Sequence, residues 1–188
     1  EHANSNSALA VATRGLEVFE KSVQTDDGRT LLSVIQEAWR TKKDLVAMVS
    51  ALVNTLKEHG IGEKERVVAI LPVGIEVLVT TLAGFGVGAT VATASPEFGA
   101  EAILSRFSQL EPTVLVFSNS YPWQGKELDR SQMVAQVAKA LPSLKLIIGL
   151  GGNNELAETI LWSAATSNSK QISFTRRSFD HPAYVLFT

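Results

Sequence analysis

At 188 residues, 45% hydrophobic and 19% charged, the chain is long enough for one domain or slightly more and apolar enough for a sizeable core, which excludes a disordered chain. A formal net charge of -2 gives no basis for nucleic acid or an anionic membrane as partner. There is no cysteine, so disulfides, thiolate metal sites and a cysteine nucleophile are excluded, and a reducing, cytoplasmic setting is expected.

In chain order, residues 1–8 are polar and aperiodic and lack a signal-peptide profile. A helix is expected over Leu9–Val18, with apolar residues at 9, 12, 16 and 19. The turn signal Asp26-Asp27-Gly28 divides the chain into a tail and helix, 1–28, and an α/β unit, 29–188. Thr30–Gln36 suits a strand or the start of a helix, and strand is the expectation. Asp44–Lys57 carries one apolar stripe of Leu45, Val49, Leu52, Val53 and Leu56, with Gly60 placed as a C-cap.

From residue 66 short β-prone runs alternate with helix-length segments. Val67–Leu71 is a strand closed by Pro72 and Gly74, Ile75–Phe85 a helix, and Thr90–Thr93 a strand leading into Ser95-Pro96-Glu97-Phe98-Gly99. A helix over Ala100–Gln109 and a strand over Thr113–Phe117 follow. Further on come a helix over Asp129–Leu141, a strand over Leu144–Leu150, a surface turn at 151–154 and a helix over Glu155–Ala165 carrying Trp162. A polar loop to Lys170, a short strand over Ile172–Phe174 and a buried strand over Ala183–Phe187 complete the expectation. This alternation predicts an α/β fold with a predominantly parallel sheet and crossover helices. Ligands of such sheets sit beyond the carboxyl ends of the strands. Ser95–Phe98 and Ser118–Lys126 are therefore expected on the working edge.

Several patterns weigh less than they first suggest. Val77–Pro96 carries no charge, yet it is interrupted by Gly84, Gly86, Gly88 and Pro96 and has no basic flank; a helix buried against a sheet accounts for it better than a membrane span. The Gly84-x-Gly86-x-Gly88 spacing falls at the end of a helix and before a strand, the reverse of a dinucleotide fingerprint, so close helix–strand packing is expected there. Ser167-x-x-Lys170 stands in a polar loop without companion motifs. His2, His59 and His181 are scattered, with no metal-site spacing. No G-x-S-x-G elbow and no P-loop occurs. Tyr121-Pro122-Trp123-Gln124-Gly125-Lys126-Glu127 reads as a loop whose aromatic and ammonium groups suit a ring and a phosphate, or as a solvated loop with a snorkelling Trp.

Four segments carry a resemblance: Leu71-Pro72-Val73, Ser95-Pro96-Glu97-Phe98-Gly99, Arg106-Phe107-Ser108-Gln109-Leu110-Glu111-Pro112 and Gln124-Gly125-Lys126-Glu127. Together they resemble the N-terminal region of the adenylate-forming acyl-CoA synthetases, and within these the acetoacetyl-CoA synthetase family. Phe179-Asp180-His181-Pro182 and the run ending at Thr188 resemble the lead-in to that family's ATP-phosphate loop, which continues as Ser-Gly-Thr-Thr-Gly. The chain differs from the pattern at Val73, where Asn is usual, and at Pro122, where Arg is frequent.

The resemblance implies an incomplete N-terminal subdomain, cut at the start of the phosphate loop, from an ATP-, Mg2+- and CoA-dependent acetoacetate–CoA ligase. Other short acyl acids, and a non-catalytic binding or oligomerisation module, stay open as alternatives. By the same resemblance Ser95, Pro96, Glu97 and Lys126 would line the CoA-nucleotide site, and Thr188 would begin the phosphate loop. No catalytic residue and no metal ligand is assigned. The 188 residues alone are expected to be inactive, to bind none of these cofactors tightly and, through exposed apolar surface, to self-associate.

Overall fold

The computed structural model describes residues 42–151, 156–168 and 177–187. The expected helix at 9–18, the turn and domain boundary near residue 28, the strand at 30–36, the strand at 172–174, Lys170 and Thr188 lie outside the described residues. Helix α1 spans Lys42–Glu58, strand β1 Arg66–Ile70, α2 Ile75–Val87 and β2 Thr90–Ala94. After α3, Ala100–Phe107, and a 3-10 turn over Ser108–Leu110 comes β3, Val114–Ser118. The remaining elements are β4, Ser120–Trp123, β5, Lys126–Asp129, α4, Ser131–Lys139, β6, Leu146–Leu150, β7, Thr159–Leu161, and α5, Trp162–Ala165.

Five strands form one sheet in the order β2-β1-β3-β6-β7, all neighbours parallel. Both faces are covered, which is why the strands read as near-continuous apolar runs. Alternate residues serve opposite faces. Val67, Ala69, Val114 and Val116 pack with Leu52, Val53 and Leu56 of α1 and Val79 and Ala83 of α2. Val68, Ile70, Leu115 and Phe117 pack with Ile103 and Phe107 of α3 and Val134 and Val137 of α4. The result is the expected helix–sheet–helix sandwich.

Glycine ends both long helices of the first layer, α1 and α2. Gly60 (φ 72) ends α1: its amide donates to Lys57 O at 3.0 Å and the Ile61 amide to Leu56 O at 2.9 Å. Gly88 (φ 79) ends α2 in the same way, with Gly88 N to Phe85 O at 3.0 Å and Ala89 N to Gly84 O at 2.9 Å. Each closes the last turn with a left-handed residue that L side chains disfavour. At Gly84 a Cβ would stand 2.4 Å from Val91 Cγ2, so the glycine cluster does serve close helix–strand packing.

Three expectations need correction. The helix expected over 155–165 is only four residues long, Trp162–Ala165, because Thr159-Ile160-Leu161 instead pairs in parallel with Ile147-Ile148-Gly149 and extends the sheet. The buried strand expected over 183–187 is a single parallel bridge from Tyr184 to Val91, and Leu186 is 82% exposed; the segment lies on the outer edge of β2 rather than inside the sheet. The Tyr121–Glu127 loop is a hairpin, as described below. Val77–Pro96 is the α2–β2 unit, and among the described residues no helix is long and apolar enough to cross a membrane.

Candidate functional site

The order β2-β1-β3 means that the chain moves from β1 to one side and later returns to the other. Helix α2, which follows β1, packs on one face, while α4, beyond β3, packs on the opposite face. A reversal of this kind opens a crevice at the carboxyl ends of the strands concerned. Two segments stand over that rim: the 95–99 corner after β2 and residues 119–130 after β3.

The second segment is an antiparallel hairpin, pairing Ser120↔Asp129, Tyr121↔Leu128, Pro122↔Glu127 and Trp123↔Lys126. Gln124 (φ 48) and Gly125 (φ 75) form its two-residue turn. Left-handed dihedrals at both central positions match the twist of the flanking strands, and Gly at the second position is the usual means of reaching them. Tyr121 is buried and meets Trp123 edge to face at 6.4 Å. Ser120 Oγ donates to Glu127 Oε1 across the pair. Lys126 is exposed beside the turn, opposite half-buried Trp123.

Of the corner residues, Ser95 is half-buried, Pro96 buried and Glu97 exposed. The Ser95 hydroxyl accepts from the Glu97 amide at 3.3 Å, and the Phe98 amide donates to Ser95 O at 3.2 Å, so the corner is a closed turn. Phe98 lies beneath the Arg106 guanidinium, 5.6 Å from its ring centre.

Arg130, which sequence reasoning missed, brings the two segments together. Its Nη2 donates to Glu97 O at 3.1 Å and to Tyr121 Oη at 3.4 Å, and its guanidinium lies 5.4 Å from the Tyr121 ring centre. The cation seated on an aromatic ring in the hairpin is therefore Arg130 on Tyr121. Its amide also donates to Asn119 O at 2.6 Å, which closes the base of the hairpin. Arg130 Nε is buried without a hydrogen-bond partner among the described residues. A hollow of about 300 Å3 adjoins it, lined by Asp129, Arg130, Ser131, Gln132 and Met133. Asp129 Oδ1 accepts from the Ser131 amide at 2.8 Å and the Ser131 hydroxyl at 2.7 Å. Those bonds hold the Asp129 carboxyl below the usual carboxylate range.

The rim carries the cations Lys126 and Arg130 together with the carboxylates Glu97, Glu127 and Asp129. Arg130 and Glu127 hydrogen-bond to other groups of the chain, while Lys126 is exposed on the hairpin. Among the described residues no group of three His, Asp or Glu side chains could hold a metal ion. The geometry thus offers a wall with one exposed ammonium, an aromatic neighbour and a rigid corner.

The family model of AMP-binding enzymes matches residues 19–188. An acetoacetyl-coenzyme A synthetase of Rhizobium meliloti is 33% identical over 155 residues, covering 79% of this chain and 24% of its own length. The acetoacetyl-CoA synthetase of Macaca fascicularis is 26% identical over 161 residues, again 79% of this chain and 24% of its own length. The solved acetoacetyl-CoA synthetase from Streptomyces lividans superposes with a TM-score of 0.75 at 32% identity, over 78% of this chain and 23% of that one. The chain spans about a quarter of the length of the curated relatives it matches.

Proposed function

Because this chain belongs to the AMP-binding enzyme family, we propose that it is the N-terminal lobe of a cytoplasmic ATP-dependent acid–thiol ligase whose acid is acetoacetate. The observation that carries the proposal is the junction over the sheet's carboxyl rim, where Arg130 ties the Glu97 corner to the Lys126 hairpin. The relatives that share this stretch carry acetoacetyl-CoA synthetase as their names.

In the reaction, an acetoacetate carboxylate oxygen bonds to the α-phosphorus of ATP while the bond to the β-phosphate breaks, releasing pyrophosphate. The CoA thiolate then bonds to the acyl carbon, and AMP leaves with the bonding electrons. ATP with its Mg2+ supplies the activated phosphate. This lobe's part is to hold the nucleotide end of CoA. Lys126 meets a CoA phosphate, Ser95 and Glu97 form the facing corner, and buried Pro96 stiffens that corner from beneath. Thr188 opens the loop that receives the ATP phosphates, where donors to the developing negative charge lower the barrier. With much of that machinery downstream, these 188 residues alone are inactive and bind the nucleotides weakly, and exposed Leu186 and Phe179 favour self-association.

The test is to express the complete reading frame and its Lys126→Ala variant. The Michaelis constant for CoA should rise while acid-dependent ATP–pyrophosphate exchange is spared. An unchanged CoA dependence removes Lys126 from the site, and a reading frame that stops at residue 188 removes the ligase.

A further inference from the structure

At the opposite, amino-terminal end of the sheet a second set of contacts fastens the last described segment, 177–187. The segment returns to the outer edge of β2 and pairs with it through Val91 alone: Val91 N donates to Ala183 O at 2.9 Å and Val185 N to Val91 O at 2.8 Å. Thr90 Oγ1 donates to Pro182 O at 3.3 Å, and the Thr93 and Tyr184 hydroxyls meet. A single bridge on an edge strand is a weak attachment. Its register is fixed upstream, by side chains.

Arg177 Nη1 donates to Glu63 Oε2 at 2.7 Å. The same guanidinium fits against Gly88 so closely that a Cβ there would lie 2.7 Å from it. His181 Nε2 donates to Gly88 O at 2.8 Å, and its Nδ1 is 3.8 Å from Glu63 Oε1, an ion-pair distance when the ring is protonated. The His181 side chain is only 14% exposed. Glu63 precedes β1 and Gly88 precedes β2, so the cluster grips the segment where it starts upward. The parallel bridge then directs it toward the carboxyl rim, with Val185 and Phe187 packed against the second core.

We propose that Arg177, Glu63 and His181 form a latch that positions the approach to residue 188, and thereby the phosphate handling assigned to that residue; the second half rests on the ligase reading above. None of the three touches a substrate; they act through the path of the backbone. The function of Gly88 is then double, since it ends α2 and leaves room for the latch.

The amides of Val91 and Val185 report the latch directly by hydrogen exchange. His181→Ala should speed exchange at both by about tenfold or more while Val68 and Val116, inside the sheet, keep their protection. His181→Gln, which can still donate to Gly88 O, should restore much of it. Unchanged exchange at Val91 and Val185, or equal acceleration at all four amides, would overturn the latch. In the complete ligase, His181→Ala should raise the Michaelis constant for ATP several-fold without changing that for CoA, and an unaltered ATP dependence would overturn the positioning role. A ligase that exchanges no pyrophosphate with His181 in place removes the function instead, and leaves the latch to be judged by the amides.

Discussion

Arg130 and Glu97 stand 33 positions apart in the chain, and the guanidinium of one donates to the carbonyl of the other at 3.1 Å. Their contact joins two segments that rise from strands lying on either side of β1. Arg130→Ala removes that bond and the guanidinium from the Tyr121 ring, at a cost of about 1–3 kcal/mol. Arg130→Lys keeps a cation near the ring and should cost less. Urea denaturation of the three proteins checks the order, and equal midpoints would show that the junction is not held by this residue.

Gly84 sits in the last turns of α2, where alanine ordinarily strengthens a helix by about 1 kcal/mol. Here the sign reverses, because the new Cβ would meet Val91 Cγ2 at 2.4 Å in a core that has no slack. Gly84→Ala should destabilise by about 1–3 kcal/mol. With Val91→Ala already present, adding Gly84→Ala should cost far less. A double-mutant cycle measures the coupling, and additive effects would exclude the close approach as the cause.

Phe117 is fully buried in the central strand, whereas Phe98 is 46% exposed at the corner. Phe117→Ala should therefore cost about 3–5 kcal/mol. Phe98→Ala loses chiefly its contact with Arg106 and should cost about 1 kcal/mol or less. Thermal or chemical unfolding distinguishes the two.

Lys145 Nζ donates to Glu65 Oε1 at 2.9 Å, and this bond chiefly holds the Glu65 carboxyl below its ordinary value of 4.5. A carboxyl that binds protons less readily when folded adds stability above its unfolded pKa and loses it as the pH falls through the lower folded value. Lys145 is 58% exposed, so the pair is worth no more than about 1 kcal/mol. The stability difference between the native chain and Glu65→Gln should accordingly be small near neutrality and disappear as the pH falls through the lowered folded value of Glu65. A difference that persists in acid would assign it to packing rather than charge.

How much could be read beforehand depended on whether a signal was local. The runs around Val67, Val91 and Val116 announced buried parallel strands because helices cover both faces, and Gly60 marked the end of α1 because only its neighbours in sequence matter to a C-cap. Thr159–Leu161 was absorbed into a helix, since three β-prone residues gain their strand character from pairing with β6. Gln124-Gly125 between β-capable flanks is itself a hairpin signal, since both residues take positive φ. Ser95 and Glu97 follow the carboxyl end of β2 and Lys126 that of β3, as strand direction alone implies. Arg130 was missed because its partners, Tyr121 and Glu97, are defined only once β3 has come to lie beside β1. The latch residues Glu63 and Arg177 are 114 positions apart and left no trace in any local pattern.

The central claim is that this lobe serves an enzyme that activates acetoacetate on ATP. Its most direct measurement is acetoacetate-dependent ATP–pyrophosphate exchange by the complete reading frame, followed by CoA-dependent release of AMP. Exchange with acetoacetate and thioester formation on adding CoA are the expected results. Absence of exchange with acetoacetate, whether or not another short acyl acid supports it, would contradict the account.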